Sequence, residues 1–218
     1  MTRKTYHQEL EELKQDVLKM GDVVKKAICD SVQSLVKQNK KLAENVIKEY
    51  DPLIDKIELE IENKCMKLIA LQQPMACDLR VIGTCMKIIT DLDRMCDLAT
   101  NIAEITLATA DEPLAKPLID IPRMSELALE MLEDGLRAFA TNDIKLVEGI
   151  SDKDDIVDAL YDQVRRELIT LMIEDPHIIS GASHLSFTAS HIERMADHTC
   201  NIAGRVIYMV TGERVKLG

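Results

Sequence analysis

The chain is written twice, and that repetition limits what it can fold into more than any other feature. The pentapeptide DRMCD at 93–97 returns one hundred residues later as ERMAD at 193–197. Upstream, NKKLAENVIKEYDPLID (39–55) aligns without a gap on NDIKLVEGISDKDDIVD (142–158), at an offset of 103. This lays Asp51 over Asp154 and Asp55 over Asp158. Further on the offset falls to 100, so that Asp93, Asp97 and Asn101 lie over Glu193, Asp197 and Asn201, and DLATNIAE (97–104) over DHTCNIAG (197–204). A unit repeated at this length builds two like domains. The expected boundaries are 1–110 and 120–218, with 111–119 as a linker bracketed by the helix-breaking Pro113, Pro117 and Pro122.

Within each copy the apolar residues keep helical spacing. Val17, Met20, Val24, Ala27, Ile28 and Leu35 predict a first helix over 5–37, with its counterpart at 122–140. Asn39 and Asn142 suit the turn that ends such a helix. A short helix follows, broken near Asp51–Pro52 in copy one and near Gly149 in copy two. Pro52 fits the first turn of a new helix with Asp51 as its N-cap. That second helix runs to about 72 and 174, QQPMACD and EDPHIISGAS form the next turns, and the third helix spans about 78–109 and 183–211. Gly (8), Pro (6) and aromatics (3%) are scarce beside Leu, Ile, Met, Ala, Glu and Lys, which is helix vocabulary. Short links between long amphipathic helices give antiparallel bundles. The expected fold is all-α, two tandem three-helix bundles related by the internal repeat.

Several functions are poorly served by these residues. A net charge of −11 argues against nucleic acid as a partner, since phosphate backbones select a Lys/Arg excess. No apolar run approaches the ~18 residues that cross a bilayer, and MTRKTYHQEL has no signal-peptide apolar stretch. A cytoplasmic protein without direct membrane insertion is expected. The six cysteines form no C-x-x-C pair and no zinc-spaced cluster, so they read as reduced, buried thiols. There is no P-loop, no Gly-rich phosphate cradle and no nucleophile elbow, and the reading is of a protein that is not an enzyme.

The repeated acids carry the chemistry. With 38 acids in 218 residues, a pair at i,i+4 is common by chance and on its own reads as solvated surface. The pairs 51/55, 93/97, 154/158 and 193/197 differ because they fall at equivalent places on helices two and three of both copies. On a wheel with His191 at zero, Ile192, Met195, Ala196, Thr199 and Ala203 cluster between about 40° and 140°, while Glu193, Asp197 and Asn201 lie between about 200° and 280°. Like charges so placed cost a few tenths of a kcal/mol, and gathering four of them requires compensation. Hard cations (Mg²⁺, Mn²⁺, Ca²⁺ or ferric iron) suit an all-oxygen donor set. Arg94 and Arg194, at the same place in both motifs, are the competing source of positive charge, and a partner's basic patch is another. His184, His191 and His198 form a stripe near 0°, too far round from the acids to share an ion, and a helix-packing role is expected of them. The Glu-x-x-His motifs that ferritin-like di-iron bundles place on each of two helices are also missing.

LIALQQPMACDLRVIGTCMKIITDLDRMCDLATNIAE (68–104) and HIERMADHTCNIAGRVIYMVTGE (191–213) resemble the two copies of the PhoU family, regulators of bacterial phosphate transport and signalling. The resemblance covers essentially the whole chain. It implies two three-helix bundles and metal binding at E/D-x-x-x-D motifs, which here are Asp51, Asp55, Asp93, Asp97, Asp154, Asp158, Glu193 and Asp197. An iron cluster is the expected cofactor, with zinc, manganese, magnesium or calcium as alternatives. The resemblance also implies negative regulation of phosphate uptake, with the transporter ATPase and the phosphate-sensing histidine kinase as partners. A homodimer is the expected assembly. Asp93 departs from the family's commoner Glu and is one methylene shorter. The competing class is a metal-dependent phosphohydrolase or a metal-storage bundle, because clustered acids can also activate water on an ion.

Overall fold

The computed structural model describes the backbone of residues 3–72 and 74–217 and the side chains of 6–71 and 74–217. Gln73, within the expected QQPMACD turn, lies outside the described residues, as do Met1, Thr2 and Gly218 at the ends of the expected domains. The helices are α1 (Arg3–Val36), α2 (Lys40–Asn45), α3 (Asp51–Gln72), α4 (Ala76–Thr109), α5 (Asp120–Thr141), α6 (Ile150–Glu174) and α7 (Ile179–Thr211), and no strand occurs among the described residues. α1, α3 and α4 form one bundle, α5, α6 and α7 the other, and residues 110–119 join them.

The two bundles share one apolar core. Equivalent helices meet across the joint, α4 against α7 and α1 against α5. The buried residues of α4 reappear on α7 one hundred positions later: Cys85/Leu185, Ile89/Ala189, Leu92/Ile192, Met95/Met195, Ala99/Thr199 and Ile102/Ile202. α4 and α7 run antiparallel, since Asp91 meets His198 while Arg80 meets Gly212. Where α1 crosses α5, a Cβ on Gly21 would come within 2.5 Å of Leu136 Cδ1. Beside that crossing Lys14, only 8% exposed, donates at 3.3 Å to the carbonyl of Ala140 in the last turn of α5, where carbonyls lack helical partners.

Three local expectations are corrected. Asp51 does not cap a helix: it has helical φ −57 and ψ −56, and α2 passes into α3 through a π-helical turn, Val46–Tyr50. The π turn holds one more residue per turn than an α turn, and that residue breaks the gap-free alignment. The core equivalences Met20/Met124, Leu35/Phe139, Ala43/Val147 and Val46/Ile150 run at 104, but Ile54/Val157 runs at 103. Copy one thus carries an extra residue, absorbed in the π turn just ahead of Pro52, whose ring and missing N–H disfavour a regular α turn there. Copy two has instead a 3₁₀ turn, Ile144–Val147, and a break at Gly149.

The same shift corrects Asn39. The left-handed residue after α1 is Gln38 (φ 49), equivalent to Asn142 (φ 57), while Asn39 caps α2 by accepting from Leu42 N at 3.1 Å. The third correction is that EDPHIISGAS is mostly helical. Asp175 accepts from His177 N, Pro176–Ile178 is a 3₁₀ turn and α7 begins at Ile179.

Candidate functional site

Two acidic faces lie where α3 packs on α4 and where α6 packs on α7. On face one α3 supplies Asp51 and Asp55, and α4 supplies Asp93 and Asp97. Burial pushes the Asp93 carboxyl up to about 6, with Asp97 adding to it, Arg94 opposing, and Asp55 and Asp51 contributing from across the helix pair. Burial and then Asp55 raise Asp51, against a hydrogen bond from Thr100 Oγ1 to its Oδ1 at 3.3 Å. Asp97 is held on its outer side by Arg94 at 2.8 Å. The four predicted acids of this copy therefore lie on one face, near enough for their charges to act on one another.

Face one also contains Glu58, which the repeat comparison passed over. Burial pushes its carboxyl up to about 6, with Asp93 and Glu62 adding to it. Asp51, Asp55, Glu58 and Glu62 fall at i, i+4, i+7 and i+11, one stripe of a helix. That spacing could have found Glu58. It went unread because the equivalent residue in copy two is Tyr161.

On face two α6 supplies Asp154 and Asp158, and α7 supplies Glu193 and Asp197. Burial, followed by Asp197, Asp158 and Asp154, pushes Glu193 up to about 6. Asp154 is only 5% exposed, and burial and Asp158 raise its pKa, with the Cys200 thiol opposing as a donor. Its Oδ1 is buried without a hydrogen-bond partner. Burial also raises Asp158, with Asp197 next. The thiols beneath the faces, Cys96 and Cys200, are each pushed up to about 12, first by burial and then by the neighbouring acids.

An all-oxygen donor set in partly desolvated surroundings is of the kind that suits a hard cation, and Asp154 Oδ1 is a buried acceptor without a hydrogen-bond partner. In the arrangement seen, no three Asp, Glu, His or Cys side chains among the described residues converge as a closed ligand set. The faces gather carboxylates without closing three of them onto one point. The histidine stripe faces α4 instead. His198 Nδ1 meets Asp91 Oδ1 at 2.9 Å, and His184 and His191 line a pocket with Asn101 and Glu104. No described helix is long and apolar enough to cross a membrane.

The PhoU domain model matches the chain twice, at residues 17–106 and 121–206. A relative from Aquifex aeolicus, named a phosphate-specific transport system accessory protein PhoU homolog, is 48% identical over 95% of this chain and 94% of its own. One of the same name from Clostridium acetobutylicum is 37% identical over 100% of this chain and 99% of its own. The crystal structure of PhoU from Pseudomonas aeruginosa superimposes with a TM-score of 0.91 at 33% identity, covering 95% of this chain and 100% of that one.

Proposed function

This chain belongs to the PhoU family, and from that premise we propose that it is a cytoplasmic, non-enzymatic accessory protein of a phosphate transport system. It lowers phosphate uptake and phosphate-starvation signalling by linking the transporter ATPase to the phosphate-sensing histidine kinase. The observation that carries this reading is the end-to-end match to relatives named as accessory proteins of that system. The geometry supports it with two long acidic faces, suited to basic partners or to cations.

The residues that would hold metal are Asp51, Asp55, Asp93 and Asp97 on face one and Asp154, Asp158, Glu193 and Asp197 on face two. A bound ion supplies the positive charge that offsets their repulsion. The chain's own part is to hold these oxygens on helices already packed together. The reading includes a homodimer, which light scattering checks.

Cells lacking the protein should express phosphate-starvation genes while phosphate is plentiful, and the wild-type gene should restore repression. Normal repression in a deletion strain with no second gene copy would overturn the reading. Turnover of phosphoesters by the purified protein with Mn²⁺ would favour the hydrolase instead.

A further inference from the structure

In a chain of net charge −11, four cations gather around one cleft. The cleft lies between the first turns of α4 and the C-terminal end of α7, has a volume of about 520 Å³, and is lined by Arg80, Thr84, Lys87, Arg205, Tyr208 and Arg214, among others. Among the described residues none of the four cations is in an ion pair.

Two donors inside it are unspent. Thr84, 2% exposed, has a hydroxyl without a partner, and the Nε of Arg80 is buried and equally unpaired. The other buried helical threonines, Thr106, Thr109, Thr188 and Thr199, each donate to the carbonyl four residues back. The Thr84 hydroxyl is thus the one of the five not spent on its own helix, and its residue forms part of the cleft wall. The Arg80 guanidinium packs where Gly212 (φ 81) has no side chain, and a Cβ there would lie 2.2 Å from Nη1. Arg214 stacks over the Tyr208 ring at 5.7 Å and forms part of the same wall.

The repeat supplies a control. At the other end of the α4–α7 pair the equivalent places hold Ser180, His184, Phe187, Ile105 and Ala108, and four of these line a pocket of about 290 Å³. The helices cross there without the cations, so the joint itself does not require them.

We propose that this cleft binds a small anion through phosphoryl groups, either inorganic phosphate or pyrophosphate, or the phosphates of a nucleotide. Arginine forks and a buried hydroxyl match phosphoryl oxygens in geometry, and four cations suit a ligand with two or more negative charges. A volume of about 520 Å³ also admits a nucleoside beside the phosphates. The site stands on the cleft alone and does not depend on the acidic faces or on the regulatory role.

The test is calorimetric titration of the full chain with orthophosphate, pyrophosphate and ATP, in chelator and about 0.15 M KCl, so that neither metal on the acidic faces nor weak surface attraction contributes. At least one of the three should bind saturably. Arg80→Gln combined with Arg205→Gln should weaken it about tenfold or more, as expected for lost charge-assisted bonds. Lys87→Gln, at an exposed position that leaves the fold intact, should weaken it several-fold. If ATP binds more tightly than pyrophosphate and Tyr208→Leu removes the difference, the ligand is a nucleotide. If pyrophosphate or orthophosphate binds as tightly as ATP, it is inorganic. Absence of saturable binding by all three, or unchanged affinity in a folded Lys87→Gln variant and the double variant, would overturn the proposal.

Discussion

The two acidic faces occupy the same place in their bundles and are supported differently. Asp51 is bonded by Thr100, and its counterpart Asp154 stands beside Cys200. Asp30 on α1 accepts from Tyr50 at 2.7 Å, and its counterpart Asp134 on α5 pairs with Lys153 at 2.8 Å. Arg94 holds Asp97 on face one, whereas Arg194 forms no ion pair with Asp197 among the described residues. Face one adds Glu58 and reaches Asp51 through a π turn. Face two opens on Gly149 and buries Asp154 more deeply. Hydroxyl, thiol, phenol and ammonium have replaced one another while four carboxylates per copy remain. The supports need only a donor at the right spot, which several side chains supply.

The largest effect should come from the core both copies share. Met95→Ala and Met195→Ala each empty a fully buried site and should each cost about 2–5 kcal/mol. Because one core spans both bundles, either change should lower a single thermal transition. Two transitions, each shifted by only one variant, would show that the bundles fold separately.

Metal content should divide by face. Asp51→Asn with Asp97→Asn should abolish metal on face one alone, and Asp154→Asn with Asp197→Asn on face two alone, each lowering bound metal by about half with helicity kept. Helicity should survive because removing like charges does not weaken a helix. Unchanged metal content in all four substitutions together would leave the acids as solvated surface.

A smaller effect concerns pH in metal-free protein. Glu58, Asp93 and Glu193 are pushed up to about 6 by burial and then by neighbouring acids, against about 4 unfolded. Such carboxyls take up their protons first in the folded state, so stability should rise as pH falls from about 7 toward 4. Solvent screening at these partly exposed groups holds the gain to about 1 kcal/mol. Asp16, whose pKa two lysines lower against the opposing effect of burial, works against this only at still lower pH. Melting temperatures across that range should flatten in Glu58→Gln/Asp93→Asn/Glu193→Gln. Face one loses two of the three groups, so its share of the flattening should be the larger.

The smallest effect lies with the thiols. The expectation of six buried cysteines holds for four and is corrected for two: Cys29 and Cys77 are exposed on the outer sides of their helices and should react at once with a thiol reagent. Cys96 and Cys200, pushed up to about 12 by burial and the adjoining acids, should react only on unfolding. Cys200→Thr, which copies the Thr100 arrangement into face two, should change stability by a few tenths of a kcal/mol. A rapid reaction at Cys200 would show that face two opens more readily than face one.

Much of this was legible in the residues. Helical spacing located α1, α4, α5 and α7 to within a few residues, because their buried stripes follow the 3.6-residue period that facing a common core imposes. Acids at equivalent offsets marked both faces, since a repeated sequence carries its charge pattern with it. Asp51 was misplaced as a cap because Asp-Pro does start helices elsewhere, and a π turn leaves no mark in local propensity. Glu58 escapes a comparison of the two copies because Tyr161 holds its place in copy two.

The helices, the duplication and the charge pattern follow from residues close in the chain and from their period. Long-range packing, by contrast, set equivalent helices antiparallel and merged two cores into one. It also decided that Asp154 is buried with an unpaired oxygen, and that Arg80 and Lys87 meet Arg205 and Arg214. Burial and the approach of residues over a hundred positions apart depend on how surfaces pack, and spacing along one helix carries no information about the helix that will cover it.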